Sequence, residues 1–196
     1  MYPAHILYMK TILIFVSTLD GKITKWGDPK IRSWSSEEDQ DYFDSIWNET
    51  RVIIMGKKTY MADPVKPDSK HLFIVMTRQS GKYQSKELAG KIEFTAEVPS
   101  KLIKRFETEQ EDKILIVGGA QIATLFLKEQ LIDELWLTIE PKIFGNGAGF
   151  VINEYLDIGL RLISCVKVND RGTLMTKYMV LRAEESLKSA NQNQYS

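Results

Sequence analysis

The sequence predicts an α/β fold: a central mixed, mostly parallel sheet with flanking helices and antiparallel C-terminal strands. Three observations predict it. Short apolar, β-rich runs alternate with helical stretches along the first part of the chain; glycine turns after two of those runs lead into helices; and from Asp133 onward long strands follow one another without helices between them.

The first strand is expected over 11–17 (Thr-Ile-Leu-Ile-Phe-Val-Ser), and four more over 51–55, 72–77, 92–95 and 113–117. Runs with so few polar interruptions fit strands covered on both faces. Between them, Ser36 opens a helix with Glu37 and Glu38 in its first turn, where acids suit the helix dipole, and Tyr42, Phe43, Ile46 and Trp47 form one apolar stripe. Thr59, Tyr60 and Met61 read as a short helix stopped before Pro64. Pro99 opens a helix through Phe106, and 120–129 is the helix after the second glycine turn. Segments 134–140, 160–168 and 173–181 alternate or run apolar as an antiparallel closing unit. The chain thus divides into an extension over 1–9, one domain over 10–182, and a polar tail over 183–196 that is expected to fray.

Composition narrows the function. A chain of 196 residues can bury a sizeable core as one domain, and 43% apolar with 27% charged residues is ordinary for a globular protein. Lys plus Arg equals Asp plus Glu at 26 each, so no overall basic field draws it to nucleic acid or to an acidic membrane. Cys165 is the single cysteine, and His5 and His71 are the two histidines. That excludes a disulfide framework, argues against a zinc site, and fits a reducing cytoplasm; no metal is expected. No apolar run approaches a membrane span, and residues 1–10 lack the features of a signal peptide.

Four local patterns carry chemistry. In the first, the strand Lys113-Ile-Leu-Ile-Val117 runs into Gly118-Gly119 and then a helix. Adjacent glycines let backbone approach a ligand, and the free N–H groups that open the helix attract an anion, so this is a phosphate site in outline or a plain strand-to-helix turn. The second, Met55-Gly56-Lys57-Lys58-Thr59-Tyr60, puts two cations at a helix start, where the dipole disfavours them unless an anion is bound. The third is Thr77-Arg78 at the end of the third strand, on the carboxyl edge where open α/β sheets bind ligands. Last, Ser17-Thr-Leu-Asp20-Gly-Lys22-Ile-Thr24 brings a carboxylate and an ammonium to the same edge on a loop whose Asp-Gly is also simple turn chemistry.

Taken in order, these patterns, followed by Leu131-Ile-Asp-Glu-Leu135 and Pro141-x-x-x-Gly145-x-Gly147, resemble the three-layer dihydrofolate-reductase-like fold, and within it the reductase domain of the bifunctional riboflavin-biosynthesis deaminase/reductase. The resemblance covers roughly Lys10 to Leu181. It implies an NADPH-dependent oxidoreductase that reduces a ribosylamino group, with 5-amino-6-(5-phosphoribosylamino)uracil as the family substrate. Gly56, Lys57 and Thr59 resemble the family's Gly-Arg-x-Thr turn, which holds the adenosine phosphates. Thr77 and Arg78 fall where the adenine ribose and its 2′-phosphate are contacted; Gly118, Gly119, Ala120, Gln121 and Ile122 resemble the segment that receives the pyrophosphate. Val16, Ser17, Ile23 and Thr24 would flank the nicotinamide. Asp20 matches the acidic residue of the first loop, the candidate catalytic residue, and Lys22 is a candidate for holding a substrate carboxylate or phosphate. A homodimer is implied too, in keeping with long apolar C-terminal strands whose edges need covering.

The departures bear on the substrate. The arginines that the riboflavin enzymes use for the substrate phosphate are not evident in 43–48 or 63–68, where Lys66 is the available cation, and with so few Cys and His residues no zinc-binding deaminase domain is expected in this sequence. Dihydrofolate reductase is the rival enzyme: Asp39 and Phe43 reproduce its acid-to-phenylalanine spacing on one helix face, although Asp39 also reads as a helix-start charge. A nucleotide-binding module without catalysis is the alternative of another class.

Overall fold

The five apolar runs become five parallel strands. In the computed structural model, which describes residues 9–152 and 154–182, they are β1 (Lys10–Thr18), β2 (Val52–Gly56), β3 (Leu72–Met76), β4 (Ile92–Thr95) and β5 (Lys113–Ile116). The extension up to residue 8 and the tail 183–196 lie outside the described residues. Met9, which the sequence places in the extension, is buried against the core, so the packed unit starts before Lys10.

Three further strands, β6 (Glu134–Glu140), β7 (Leu160–Lys167) and β8 (Leu174–Val180), complete an eight-stranded sheet ordered β4-β3-β2-β5-β1-β6-β8-β7. The expectation of an antiparallel closing unit needs one correction: β6 runs parallel to β1, with Ile12 to Thr18 registered on Glu134 to Glu140, and is antiparallel only to β8. A crossover helix separates β5 from β6, and such a connection returns the chain in the same direction. β7 then lies at the edge, broken by a register shift between Leu162 and Ser164.

Alternation along each strand splits the core in two. Leu13, Phe15, Ile54, Ile74 and Ile116 face one side, where α3 (Pro99–Thr108) and α4 (Ala120–Lys128) supply Leu102, Phe106 and Phe126. Ile12, Ile14, Ile53, Phe73 and Leu115 face the other, packed by α1 (Glu37–Asn48) through Ile46 and by α2 (Lys57–Ala62) through Tyr60. The result is the three-layer architecture. Two 3-10 turns, Ile31–Ser33 and Ser80–Lys86, had no apolar period to announce them.

Sheet order sets where a ligand can bind. β1 lies between β5 and β6, and the chain leaves β1 to build β2, β3 and β4 outward before returning to β5. Connections diverge at the carboxyl ends of β1 and β5, and a crevice opens at such a switch point. Every predicted site residue on β1, β2, β3 or β5 sits at that end.

Candidate functional site

At the carboxyl edge, β2 and β5 bring their two glycine turns together. Gly56 N–H donates to Gly118 O at 2.8 Å, and Val117 N–H to Ile54 O at 3.0 Å. A Cβ on Gly56 would stand 2.9 Å from Ile122 Cγ1, and one on Gly119 would stand 3.3 Å from Thr59 Oγ1. Gly118 has φ +103, a conformation that favours glycine, and a Cβ there would meet the Phe15 ring at 3.0 Å. The Gly118–Gly119 peptide is cis. Gly56, Thr59, Gly118, Gly119, Ala120 and Ile122 therefore converge at one place.

Gly119 caps α4 with no side-chain hydrogen bond; Ile122 and Ala123 N–H donate to its carbonyl, and the N–H groups of Ala120 and Gln121 are left for a ligand. Gln121 is exposed on this first turn, and Lys57 begins α2 directly after Gly56, which abuts Ile122. Thr77 continues from β3, its N–H donating to Thr95 O, and Arg78 is exposed next to it. Sequence reading missed the neighbouring 3-10 turn, where Tyr83 stacks on Phe94 at 5.0 Å with the Lys57 and Lys86 ammoniums 5.8 and 5.9 Å from its ring. Among the described residues, none of Lys57, Lys58, Arg78, Lys82 or Lys86 is ion-paired with a carboxylate. Unpaired cations around uncapped N–H groups make an anion-receptive edge.

The end of β1 has a different construction. Val16, Ser17 and Ile23 are buried, and Thr24 is half-buried with its hydroxyl accepting Ala148 N–H at 2.8 Å. Asp20 is already engaged: it accepts from the Thr18 hydroxyl, from Phe144 N–H at 3.2 Å and from Gly145 N–H at 2.7 Å. The Thr18 hydroxyl, together with those backbone N–H groups, holds its carboxyl below the ordinary aspartate range. Leu19 N–H to Lys142 O and Ile23 N–H to Ala148 O extend the same seam, and Lys22 forms a bridge with Gly149. Gly147, at φ +154, lets the strands of this seam close, since a Cβ there would lie 2.1 Å from Thr24 O.

α1 and β6 form the facing wall. Asp39 is 6% exposed, and burial pushes its carboxyl above the ordinary range; the Thr138 hydroxyl opposes that shift, and the nearby Glu140 charge adds to it. Phe43, one turn on, packs against Trp47 with ring centroids 5.4 Å apart. Tyr42 is lifted to about 12 by burial, reinforced by the charge of Glu134. Trp34 is buried edge-on to Phe144 at 5.1 Å, Lys142 Nζ donates to its carbonyl, and its Nε1 has no partner among the described residues. Thr138 and Glu140 were not found by sequence reading; the alternation Glu134, Trp136, Thr138, Glu140 on one strand face was the available signal.

Among the described residues no cluster of His, Cys, Asp and Glu could hold a metal ion, and no helix is long and apolar enough to cross a membrane. Comparison with known proteins agrees with the architecture. A pyrimidine reductase-like protein from Corynebacterium diphtheriae superposes with TM-score 0.71 at 15% identity, over 89% of this chain and 92% of that one. The deaminase/5-amino-6-(5-phosphoribosylamino)uracil reductase of Thermotoga maritima gives 0.69 at 16% identity, over 88% of this chain and 57% of that longer one. In sequence, the Bacillus subtilis protein YwjB is 30% identical over 148 residues, 70% of this chain and 80% of its own length. Residues 65–174 match the family described as the RibD C-terminal domain. With that match over more than half its length, the chain belongs to the RibD C-terminal domain family.

Proposed function

We propose that the chain is an NADPH-dependent reductase that transfers hydride to a small heterocyclic or ribosylamino substrate, of the kind represented by 5-amino-6-(5-phosphoribosylamino)uracil. The observation that carries this reading is the glycine-lined junction of β2, β5 and α4, with unpaired cations around it. Those residues fit a dinucleotide phosphate chain: Gly118 to Gln121 offer backbone N–H groups with Ile122 packed behind them, Gly56 and Thr59 the adjoining turn, and Lys57, Thr77 and Arg78 the cations and hydroxyl for a 2′-phosphate. Bound NADPH supplies a hydride from its nicotinamide. Val16, Ser17, Ile23 and Thr24 then exclude water beside the ring, Asp20 and Lys22 shape the substrate side through the loops they join, and Asp39 faces the substrate as a buried acid. Cytoplasmic residence fits the exposed, unpaired Cys165. A homodimer through β7 is part of the reading, because Leu160, Leu162, Ile163 and Val166 are exposed on that edge strand.

One observation favours a second reading, reduction of a dihydrofolate. Asp39 sits buried beside Thr138, which suits an acid that binds a pterin better than a helix-start charge facing water. Titration with NADPH and NADH, followed by quenching of tryptophan fluorescence, tests the cofactor. We expect NADPH to bind more tightly than NADH, and a Lys57→Ala, Arg78→Ala double variant to lose about 1.5–3 kcal/mol per charged contact. Turnover with the phosphoribosylaminouracil or with dihydrofolate then separates the two substrates, and binding without turnover of either would leave a nucleotide-binding module. Failure to bind both nucleotides would overturn the reductase.

A further inference from the structure

A second carboxylate is buried at the end of β6, and no step of the proposed chemistry uses it. Glu140 is 2% exposed. Its Oε1 accepts Ser36 N–H at 2.7 Å, and its Oε2 accepts the Thr173 hydroxyl at 2.9 Å. Ser36 is the N-cap of α1, and its hydroxyl accepts Asp39 N–H at 3.3 Å. Thr173, fully buried in the turn between β7 and β8, in turn accepts from Asn169 Nδ2 at 3.0 Å. Asn169 closes that turn on Gly172 and Thr173, and also donates to Glu38 Oε2 at 3.0 Å.

One carboxyl thus joins three parts of the chain that are remote in sequence: the first turn of α1, the end of β6 and the β7–β8 turn. Among the described residues no lysine, arginine or histidine is ion-paired with it. A buried carboxyl is costly unless its oxygens are satisfied, and here both are used to hold neighbouring segments in place. The helix turn so held is the one that carries Asp39.

We propose that Glu140 is a positioning residue, anchoring the first turn of α1 and thereby fixing where the Asp39 carboxyl meets the substrate. This rests on the reading that Asp39 faces the substrate. The charged and hydroxyl groups around Asp39 are Arg32 ahead of α1, Ser35 and Ser36 at its start, and Thr138 and Glu140 on β6. Removing the Glu140 charge takes away the one acid that β6 presents to Asp39, so the two effects of Glu140, anchoring and charge, can be read separately.

The test compares Glu140→Gln, Thr173→Val and Thr176→Val in the full chain. Each protein is followed by the pH profile of kcat/KM for NADPH-dependent reduction and, in the ligand-free state, by ¹³C NMR titration of the Asp39 carboxyl, identified by its loss in Asp39→Asn. For Glu140→Gln we expect kcat/KM to fall about tenfold to a hundredfold and the Asp39 midpoint to move to lower pH. Thr173→Val removes one hydrogen bond to Glu140 and keeps the charge, so it should lower kcat/KM with little movement of the midpoint. Thr176→Val removes a buried hydroxyl that donates to Leu137 O, outside this network, and should move neither readout. Wild-type kcat/KM and midpoint in Glu140→Gln would overturn the proposal, as would a Thr176→Val effect equal to that of Thr173→Val. Should Glu140→Gln fail to fold, Thr173→Val against Thr176→Val decides. If Asp39→Asn leaves turnover intact while Thr173→Val still lowers kcat/KM, the role of Asp39 falls and the anchoring by Glu140 stands.

Discussion

The two walls of the crevice are built from different materials. On the β2–β5 side the contacts are backbone to backbone, with glycines at Gly56, Gly118 and Gly119 admitting α4 and Thr59 at close range. On the α1–β6 side they are side chains from distant segments, Trp34, Asp39, Thr138, Glu140 and Thr173, meeting through burial and hydrogen bonds. A backbone-built site tolerates changes of surface side chain and fails when a Cβ intrudes. A side-chain site can change its substrate one residue at a time while the fold persists.

The largest effect should come from inserting a single carbon in the seam between the first loop and 142–149, at the end of β1 between the two walls. Gly147→Ala would drive a Cβ into Thr24 O, at a φ that disfavours any side chain, and the opposing group is backbone that cannot step aside. We expect a loss of about 3 kcal/mol or more in urea unfolding, with both nucleotide binding and turnover impaired. A Gly147→Ala protein as stable as wild type would show that the seam between the first loop and 142–149 is dispensable. Gly56→Ala should be milder, about 1–3 kcal/mol, because Ile122 Cγ1 is a side-chain atom able to rotate. Its signature is selective: NADPH affinity should fall while the Asp39 titration stays in place. Equal damage to both readouts would mean that the two walls are not separable.

That contrast also explains what the sequence revealed. Strand-to-helix turns with glycines are local patterns, so Gly56, Gly118 and Gly119 and the helix that follows them were legible, as were the five parallel strands through their apolar runs. The partnership of Asp39 with Thr138 and of Ser36 with Glu140 spans about a hundred residues, and no spacing rule announces it. Asp20 illustrates the same limit from the other direction. Its Asp-Gly loop suggested chemistry or a turn, and only the fold shows its carboxylate held by Phe144 and Gly145. The parallel direction of β6 was hidden for a related reason, since 134–140 alternates as an antiparallel strand would.

Titration gives a gentler probe of the side-chain wall. The folded state raises the Asp39 pKa above its ordinary 3.8, so it holds a proton that the unfolded chain has already released. The stability this provides is fully present below the ordinary aspartate value and is lost as pH rises through the raised one. Asp39→Asn is neutral throughout, so the difference in unfolding free energy between wild type and variant should shift in favour of the variant on going from pH 4 to pH 8. No slope would place Asp39 in water, and the opposite sign would mean that its ionised form is the one the fold holds; either result would remove it as a proton-bearing acid of the buried wall. Asp20, with its lowered pKa, should behave in reverse: its contribution is present above 3.8 and disappears as pH falls through the lowered value, and Asp20→Asn should flatten stability only in that acid range.

The smallest effect lies away from both walls, at the C-terminal ends of α3 and α4. Gln110 and Gln130 adopt φ of +60 and +55 just past their helices, where Gln110 N–H reaches Glu107 O and Gln130 N–H reaches Leu127 O at 3.2 and 3.0 Å. The following Glu111 and Leu131 N–H groups close the same caps on Phe106 O and Phe126 O. Glycine adopts this conformation without the Cβ penalty that glutamine bears, so Gln130→Gly should raise stability by about 0.5–1 kcal/mol, or about 1–4 °C in Tm. Because the cap is made by backbone and sits at the opposite edge of the sheet, NADPH affinity and the Asp39 midpoint should both remain at wild type. A stabilised protein with altered affinity would instead mean that α4 transmits changes at its end to the uncapped N–H groups at its start, making the backbone wall less rigid than its glycine contacts imply.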